Sequence, residues 1–126
     1  HDWFKNTKSY FEKEDFYKIY IDYPREELIQ RIGKRTEQMI KIGAINEVKR
    51  FVKLKVRKDK SVNKAIGIYE IKEYLEKRND MSEVIEKISI KTRQYAKRQS
   101  TWARGNMMSW LKLPPQDLNK FLKKIK

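Results

Sequence analysis

The chain has 126 residues, enough for one domain or part of one and too few for two independent cores. Lysine and arginine total 31 against 17 aspartates and glutamates, and the formal charge of +14 favours a polyanionic partner, nucleic acid first and an anionic membrane second. The absence of cysteine excludes a disulfide framework and a cysteine-ligated zinc site, and no apolar run approaches the roughly 18 residues that a membrane span needs.

The first sixteen residues mix aromatic and charged side chains, and we interpret them as a linker that is irregular or partly helical. The chain begins at His1 without a methionine, which favours a fragment of a longer protein, and this single histidine is interpreted as incidental. Residues 17–23 are β-branched and aromatic with a polar stop, a pattern typical of a β-strand.

A helix is predicted for residues 25–42, because Pro24 suits the first turn of a helix. Three residues at helical spacing form its apolar stripe: Leu28, Ile32 and Met39. The same spacing places Arg35 within the stripe and Arg31 beside it, and a buried arginine costs desolvation unless an anion meets it. Arg35 therefore indicates either a structural salt bridge or snorkelling side chain, or an anion-binding site.

Gly43 is predicted to cap this helix, and residues 44–54 are predicted to form a short second helix. Residues 50–60 carry six cations and one acid. Such a run is either simply solvated or a specific contact with phosphate.

A third helix is predicted from Ser61 or Asn63 to residue 75. Gly67 lies inside this stretch, and glycine costs about 1 kcal/mol in a helix interior. This glycine therefore marks the true start of the helix or allows another backbone to approach closely.

A long helix is predicted next, because Asp80 and Glu83 form a capping box at its start and Gly105 follows its last periodic residue. A short strand is predicted over residues 107–113 and an amphipathic terminal helix over residues 116–126.

The side chains of the long helix separate into two arcs at 3.6-residue spacing. The apolar arc contains Val84, Ile85, Ile88, Thr92, Tyr95 and Ala96. The opposite arc contains Lys87, Lys91, Arg93, Lys97 and Arg98. No acidic residue lies between Lys87 and Arg104, so these cations have no partner within their own helix and require another group to neutralise them.

Several short pieces of sequence, taken together, carry a family resemblance. They are Arg31-Ile32, Arg35, Gln38-Met39-Ile40, Gly43, Glu47-Val48, Ala65-Ile66-Gly67 and residues 92–102, Thr-Arg-Gln-Tyr-Ala-Lys-Arg-Gln-Ser-Thr-Trp. In order and spacing they resemble the C-terminal half of the tRNA dimethylallyltransferase family, over roughly residues 19–110. The last motif is specific by itself, and the other pieces would be weak alone.

The predicted elements make the chain mostly α with one or two short strands, and the resemblance makes it the C-terminal fragment of an α/β P-loop-type fold. Residues 1–16 would be a linker or the end of an insertion domain, and residues 17–126 the C-terminal part of the transferase catalytic domain. The implied activity is tRNA modification, the transfer of a dimethylallyl group from dimethylallyl pyrophosphate to N6 of adenosine 37, next to the anticodon. The base must be flipped out of its stack to react.

The resemblance also implies two substrates as partners, dimethylallyl pyrophosphate and the anticodon stem-loop of tRNA, and no membrane. It implies a Mg²⁺ ion bound through the N-terminal half, a cytoplasmic location, and a monomer once that half is present.

The resemblance assigns roles to two sets of residues. Arg35 and Arg31 would face the pyrophosphate. The tRNA-contacting residues would be Lys64, Ala65, Ile66, Gly67, Tyr69, Lys97, Arg98, Gln99, Thr101, Trp102 and Arg104. Of these, Lys97, Arg98 and Arg104 would meet phosphates. Gln99 and Trp102 extend the apolar arc, so Gln99 is expected to hydrogen-bond inside, and Trp102 is expected to pack, with stacking on a base as the alternative. The family has an aromatic and then a basic residue after Gly67, and here Ile68 and Tyr69 follow.

No Gly-x-x-x-x-Gly-Lys run occurs, and the resemblance places the P-loop lysine, the catalytic aspartate and a nearby threonine in the N-terminal half. No catalytic residue is therefore predicted in this fragment, which is predicted to be inactive alone and to expose an unpaired strand edge at residues 17–23. The alternative is a stand-alone basic helical module that binds nucleic acid without catalysis.

Overall fold

The computed structural model describes residues 8 and 10–125, and within them the chain is mostly helical with two short strands, as predicted. The elements in chain order are β1 (Ile19–Ile21), α1 (Arg25–Ile42), α2 (Ala44–Lys53), α3 (Ile68–Leu75), α4 (Met81–Asn106), β2 (Leu111–Leu113) and α5 (Leu118–Lys124). Short 3-10 turns cover Lys13–Asp15, Ser61–Lys64 and Pro115–Asp117. Half of the predicted linker, residues 1–7 and 9, and the last residue of the predicted terminal helix lie outside the described residues.

Helix α1 has the predicted bounds, and both of its ends follow from local chemistry. Pro24 precedes its first residue with φ −53°, and Glu26 and Glu27 lie in its positively polarised first turn. Gly43 ends it with φ 134°, a conformation that side chains other than hydrogen disfavour, and its N–H donates to the carbonyl of Met39 at 3.3 Å.

The expectation that Arg35 occupies the apolar stripe of α1 is wrong. Thr36 is the buried residue between Ile32 and Met39, and its hydroxyl donates to the carbonyl oxygen of Ile32 at 2.9 Å. Arg35 is exposed. Positions three and four residues after Ile32 lie on either side of the same line along a helix, and a threonine that bonds its own backbone can be buried at lower cost than a guanidinium.

The core lies where α2, α3 and α4 meet. Its buried cluster contains Val48, Ile71, Val84 and Ile88. Met39 of α1 packs against this cluster from one side, so all four of the first helices share one apolar centre. None of the helices in the described part of the chain combines the length and the apolar character needed to cross a membrane.

Helix α3 begins later than predicted, at Ile68, because Gly67 is its N-cap rather than an interior residue. Gly67 adopts φ 103°, and a Cβ placed on it would contact Ile88 Cδ1 at 3.6 Å. The glycine therefore marks the true helix start, and its backbone conformation gives the reason for a residue without Cβ. The residues before it form a 3-10 turn, Ser61–Lys64.

Helix α4 begins with the predicted capping box. Asp80 accepts a hydrogen bond from the Glu83 N–H at 2.8 Å, and Glu83 accepts one from the Asp80 N–H at 3.1 Å. The helix ends one residue beyond Gly105, because the Met107 N–H still donates to the Ala103 carbonyl at 2.7 Å. Its 26 residues make a rod about 39 Å long.

The two strands pair in parallel, with Ile19 opposite Leu111 and Ile21 opposite Leu113. Both are three residues long and so shorter than predicted. Residues 107–110 form a turn instead of a strand, in which the Trp110 N–H donates to the Met107 carbonyl at 3.1 Å. One edge of β1 is thus paired within the chain, and its other edge has no strand partner among the described residues.

Candidate functional site

Two grooves flank the C-terminal half of α4. The first, here the α1 groove, lies between residues 22–32 and α4 and has a volume of about 660 Å³. The second, here the β1 groove, lies between residues 20–23 and the end of α4 and has a volume of about 580 Å³. Five residues line both grooves: Asp22, Tyr23, Leu28, Ala96 and Ser100. The two grooves therefore form one continuous surface around the same helix.

The α1 groove combines an apolar floor with a cationic rim. Its apolar residues include Leu28, Ile29, Ile32, Ile90 and Ala96. Its cations are Arg25, Arg93, Lys97 and Arg104. Asp22 is the one carboxylate among the described lining residues, and none of the four cations forms an ion pair within the described part of the chain. Four positive charges against one negative charge make this groove a place for an anion with an apolar tail.

The β1 groove presents Arg98, Gln99 and Trp102 of α4 against Tyr20 and Ile21. Both expectations that turned side chains of this segment inward are wrong: Gln99 is exposed, and Trp102 has 58% of its surface exposed. Ala103, between these positions and the end of α4, is buried, so the face of α4 that packs inward here carries Ala103 and not Gln99 or Trp102.

Tyr95 shares this outward orientation. It is 51% exposed, and the guanidinium carbon of Arg98 lies 5.9 Å from the centre of its ring. Trp102 lies one turn after Arg98. The described surface therefore presents Tyr95, Arg98 and Trp102 along one line of the helix.

The N-terminal half of α4 carries two lysines that the sequence left without partners, and the structure supplies carboxylates from α3. Lys91 Nζ lies 2.5 Å from Glu70 Oε1, and Lys87 Nζ lies 3.6 Å from Glu73 Oε2. The expectation that another group must neutralise these cations is therefore confirmed for Lys87 and Lys91. The neighbouring helix neutralises the first two lysines of the basic arc, and the last cations of this arc are divided between the two grooves.

Glu70 is the buried carboxylate of this arrangement, with 1% of its surface exposed. Burial raises its pKa, but the ion pair with Lys91 and the hydrogen bonds from its own N–H and that of Gly67, the latter 2.9 Å long, outweigh burial and hold the pKa below the usual 4.5. Glu70 thereby joins the start of α3 to α4 in its ionised form.

Glu73 makes a second, more exposed connection. It accepts a hydrogen bond from the Tyr69 hydroxyl at 2.9 Å and another from the Asn79 amide at 2.9 Å. These bonds and the nearby Lys87 lower the pKa of Glu73, while the bond to the carboxylate raises the pKa of Tyr69. Tyr69 also lies under Lys91, whose Nζ is 5.4 Å from the ring centre.

The predicted tRNA-contacting segment 64–69 lies beside the N-terminal half of α4, away from the grooves. Its exposed members are Lys64, Ala65, Ile66 and Tyr69, whereas Gly67 is buried. None of these residues lines either groove. The other predicted segment, residues 97–104, lines both grooves, and its Thr101 bonds the Lys97 carbonyl at 3.0 Å. The structure thus puts one predicted segment beside the N-terminal half of α4 and the other within its C-terminal half, without joining them in one groove.

The two arginines predicted to face pyrophosphate lie in different surroundings. The guanidinium carbon of Arg31 is 5.1 Å from the ring centre of Tyr23, which lines both grooves. Arg35 lines a separate cleft of about 490 Å³ at the turn from α1 to α2, together with Glu47 and Arg50. Among the described residues Arg35 has no ion-pair partner, which contradicts the salt-bridge interpretation.

Sequence reasoning missed Arg25 as a candidate site residue. It stands at the first position of α1 and lines the α1 groove with Arg93. The available signal was its place directly after Pro24, where a helix begins beside the end of a strand, a common place for ligand groups. Within the described residues no group of three or more histidine or acidic side chains comes together as a metal site.

The sequence and the fold of this chain are those of a known class of transferase. The sequence model of the family described as IPP transferase matches residues 1–106, and the chain belongs to this family. The chain is similar to the tRNA dimethylallyltransferase of Pelagibacter ubique, with 53% identity over 126 residues, which are 100% of this chain and 40% of that protein.

Two solved structures have a similar fold. The tRNA delta(2)-isopentenylpyrophosphate transferase of Staphylococcus epidermidis matches with TM-score 0.74 and 31% identity, over 88% of this chain and 38% of that one. The full-length tRNA isopentenylpyrophosphate transferase of Bacillus halodurans matches with TM-score 0.74 and 30% identity, over 98% and 40%. The chain therefore spans about two fifths of the relatives it matches and corresponds to their C-terminal portion, as predicted.

Proposed function

We propose that this chain is the part of a tRNA dimethylallyltransferase that holds the pyrophosphate end of dimethylallyl pyrophosphate and the anticodon stem-loop of tRNA. In the reaction, N6 of adenosine 37 bonds to the allylic carbon while the bond from that carbon to the pyrophosphate oxygen breaks. Pyrophosphate leaves with the electron pair, and N6 loses a proton to a base that the resemblance places in the N-terminal half. This chain's part is orientation and charge stabilisation.

The α1 groove is the observation that carries the proposal. Its apolar floor suits a five-carbon chain, and Arg25 and Arg93 on its rim suit the negative charge that grows on the departing pyrophosphate. Arg25 is the cation best suited to the pyrophosphate, since a guanidinium binds two phosphate oxygens at once and this one stands where α1 begins. Arg31 and Arg35 remain predicted pyrophosphate contacts.

The tRNA would lie along α4. Arg98 would meet a phosphate and the half-exposed Trp102 would stack on a base in the β1 groove, while Lys97 and Arg104 would meet phosphates at the edge of the α1 groove. The segment 64–69 would contact the same RNA near the other end of the helix. The magnesium ion, the cytoplasmic location and the monomeric state stay predictions from the resemblance.

A hybrid enzyme tests the proposal. This chain replaces the matching C-terminal portion of the Pelagibacter ubique relative, and mass spectrometry follows addition of a dimethylallyl group to an anticodon stem-loop with adenosine at positions 36 and 37. We expect the hybrid to modify this RNA and the 126-residue chain alone to leave it unmodified. A hybrid that folds and binds the RNA but transfers nothing would contradict the proposal.

A second candidate function is a stand-alone nucleic-acid-binding module, favoured by the unpaired cations of α4, which need no second half to bind phosphate. Binding of the 126-residue chain to the stem-loop across a salt series separates the two. A preference for adenosine at 36 and 37 that survives moderate salt supports the enzyme, whereas binding that ignores sequence and disappears with salt supports the module.

A further inference from the structure

We propose that the basic segment, residues 50–60, together with Lys64, is a second RNA-binding surface that holds the sugar–phosphate backbone of the tRNA stem. This inference rests on the proposed function and extends it, because it concerns the double-stranded stem rather than the anticodon loop.

The charge of the basic segment is almost entirely uncompensated. Its one acid, Asp59, is already bound by Arg57, with Nε to Oδ1 at 3.2 Å and Nη2 to Oδ2 at 3.1 Å. Five further cations of the segment are exposed: Arg50, Lys53, Lys55, Lys58 and Lys60. None of the five forms an ion pair with a described residue. A surface of this kind gains affinity for nucleic acid by releasing counterions from phosphates.

The backbone under these cations is folded rather than extended into solvent. The Asn63 side chain donates to the carbonyls of Arg57 at 2.8 Å and Lys60 at 3.2 Å, and the Lys60 N–H donates to the Arg57 carbonyl at 3.1 Å. At the start of the segment, half-buried Phe51 receives Lys72 Nζ at 5.4 Å from its ring centre. A run that serves only for solubility needs no such framework, whereas a fixed array of cations loses less entropy on binding.

Lys55 allows the charge to be removed without strain on the backbone. It has φ 48°, the left-handed conformation just after the C-cap of α2, a position that favours glycine. Lys77 has the same conformation just after the C-cap of α3, so a glycine at either position removes one cation and relieves the backbone alike.

The position of the basic segment favours RNA over a membrane. Lys60 and Lys64 are separated by at most about 14 Å of chain, and Lys64 opens the segment 64–69 that is predicted to contact tRNA. Helix α3, which follows it, is fixed to α4 through Glu70 and Lys91. The cations thus continue one side of the proposed tRNA surface, and a stem that leaves the anticodon loop would pass over them.

The experiment measures binding of the 126-residue chain to two RNAs, the anticodon stem-loop and its single-stranded loop sequence alone, across a salt series. The variant replaces three cations, Lys55→Gly, Lys58→Gln and Lys60→Gln. We expect stem-loop affinity to fall roughly tenfold at 0.1 M salt and the salt slope to decrease by about two to three, with little change for the loop alone. Equal losses on both RNAs, or none on either, would overturn the proposal.

Single substitutions guard against misfolding. Lys55→Gly should raise the melting temperature by roughly 3 °C and still weaken stem-loop binding, which a damaged fold cannot explain. Lys77→Gly is the matched control, because Lys77 also has positive φ, 58°, at the end of α3. It should stabilise the chain similarly and leave RNA affinity unchanged. If Lys77→Gly weakens binding as much as Lys55→Gly, the effect is one of net charge and the proposal fails.

Binding to anionic vesicles tests a membrane surface as the alternative partner. Loss of binding to phosphatidylserine vesicles in the triple variant, with unchanged stem-loop affinity, would overturn the proposal in favour of a membrane surface. The proposed function fails separately, if the hybrid enzyme folds and binds the stem-loop but transfers no dimethylallyl group while the triple variant still loses affinity for the stem-loop.

Discussion

The two halves of α4 carry the same kinds of cation in different surroundings. In the N-terminal half, Lys87 and Lys91 meet carboxylates of α3, and one of those carboxylates is buried. In the C-terminal half, Arg93, Lys97 and Arg104 line an apolar groove with no ion-pair partner among the described residues. The first half uses its charge to fix two helices together, and the second keeps its charge available for a ligand. Residue type alone does not separate a structural cation from a cation that binds a ligand. What separates them is whether the helix that faces the cation supplies a carboxylate.

The largest expected effect concerns the groove of the C-terminal half. In the hybrid enzyme, Arg25→Ala should lower turnover roughly 100-fold while tRNA affinity stays nearly unchanged, because the lost guanidinium acts on the leaving pyrophosphate. Steady-state kinetics and RNA binding measure the two quantities.

Lys34→Ala, an exposed cation of the same helix outside both grooves, is the control. Arg35→Ala sharpens the comparison: a loss similar to that of Arg25→Ala would extend the pyrophosphate site to the cleft of Arg35. Equal loss of tRNA affinity and turnover in the Arg25 variant would remove the role assigned to it.

The next effect concerns stability and the N-terminal half. Glu70→Gln should lower the free energy of unfolding by about 2 kcal/mol at neutral pH, because the buried side chain at position 70 loses its charge and its ion pair with Lys91. Urea unfolding measures the change. Glu76→Gln, which removes a carboxylate from an exposed pair with Arg78, should change stability by less than about 0.5 kcal/mol.

The same variant has a pH signature. The pKa of Glu70 is lowered in the folded state, so its contribution to stability is present above the unfolded pKa near 4.5 and is lost as the pH falls through the lower folded value. The advantage of the unsubstituted chain over Glu70→Gln should therefore shrink below about pH 4.5. A constant difference from pH 7 to pH 3 would show that Glu70 stabilises the fold by packing rather than by charge.

Substitution of Trp102 has a smaller expected effect, and the effect falls on RNA binding rather than on stability. Trp102 is 58% exposed, so Trp102→Ala should leave the melting temperature nearly unchanged. Affinity for the stem-loop should fall about tenfold, the cost of losing one stacked base. Trp102→Phe should recover part of the affinity. Loss of stability without loss of RNA binding would restore the packing role that the sequence indicated.

The smallest effects come from a matched pair on one helix. Lys97→Ala should weaken tRNA binding severalfold and lower the salt slope by slightly less than one, as expected for one phosphate contact. Lys87→Ala should leave both unchanged and lower stability by less than about 1 kcal/mol, since its ion pair with Glu73 is partly exposed. Identical salt slopes for the two variants would break the proposed division of α4.

The sequence predicted what depends on neighbours along the chain. The bounds of α1, the cap at Gly43 and the capping box of Asp80 and Glu83 follow from local rules, and the structure has all of them. Most residues of the specific motif, 92–102, also line the grooves, and all of them lie on the one helix that their spacing predicted.

What the sequence did not predict depends on how helices dock. A helical period cannot decide between Arg35 and Thr36, because both lie within a turn of Ile32. The partners of Lys87 and Lys91 come from α3. The positions of charges along two separate helices do not show which residues of one helix face which residues of the other. The exposure of Gln99 and Trp102 depends on which faces of α4 the other elements cover, and no pattern within α4 records that.

The parallel pairing of β1 and β2 has a consequence for the order in which the chain folds. These strands lie far apart in the sequence and pair with Ile19 opposite Leu111, so most of the remaining described residues lie in the loop that they close. The helices between them make mostly local contacts and can form early, whereas the strand pair has a high contact order and carries the entropy of closing that loop. On a ribosome, β1 would wait for its partner until synthesis of the segment was almost complete.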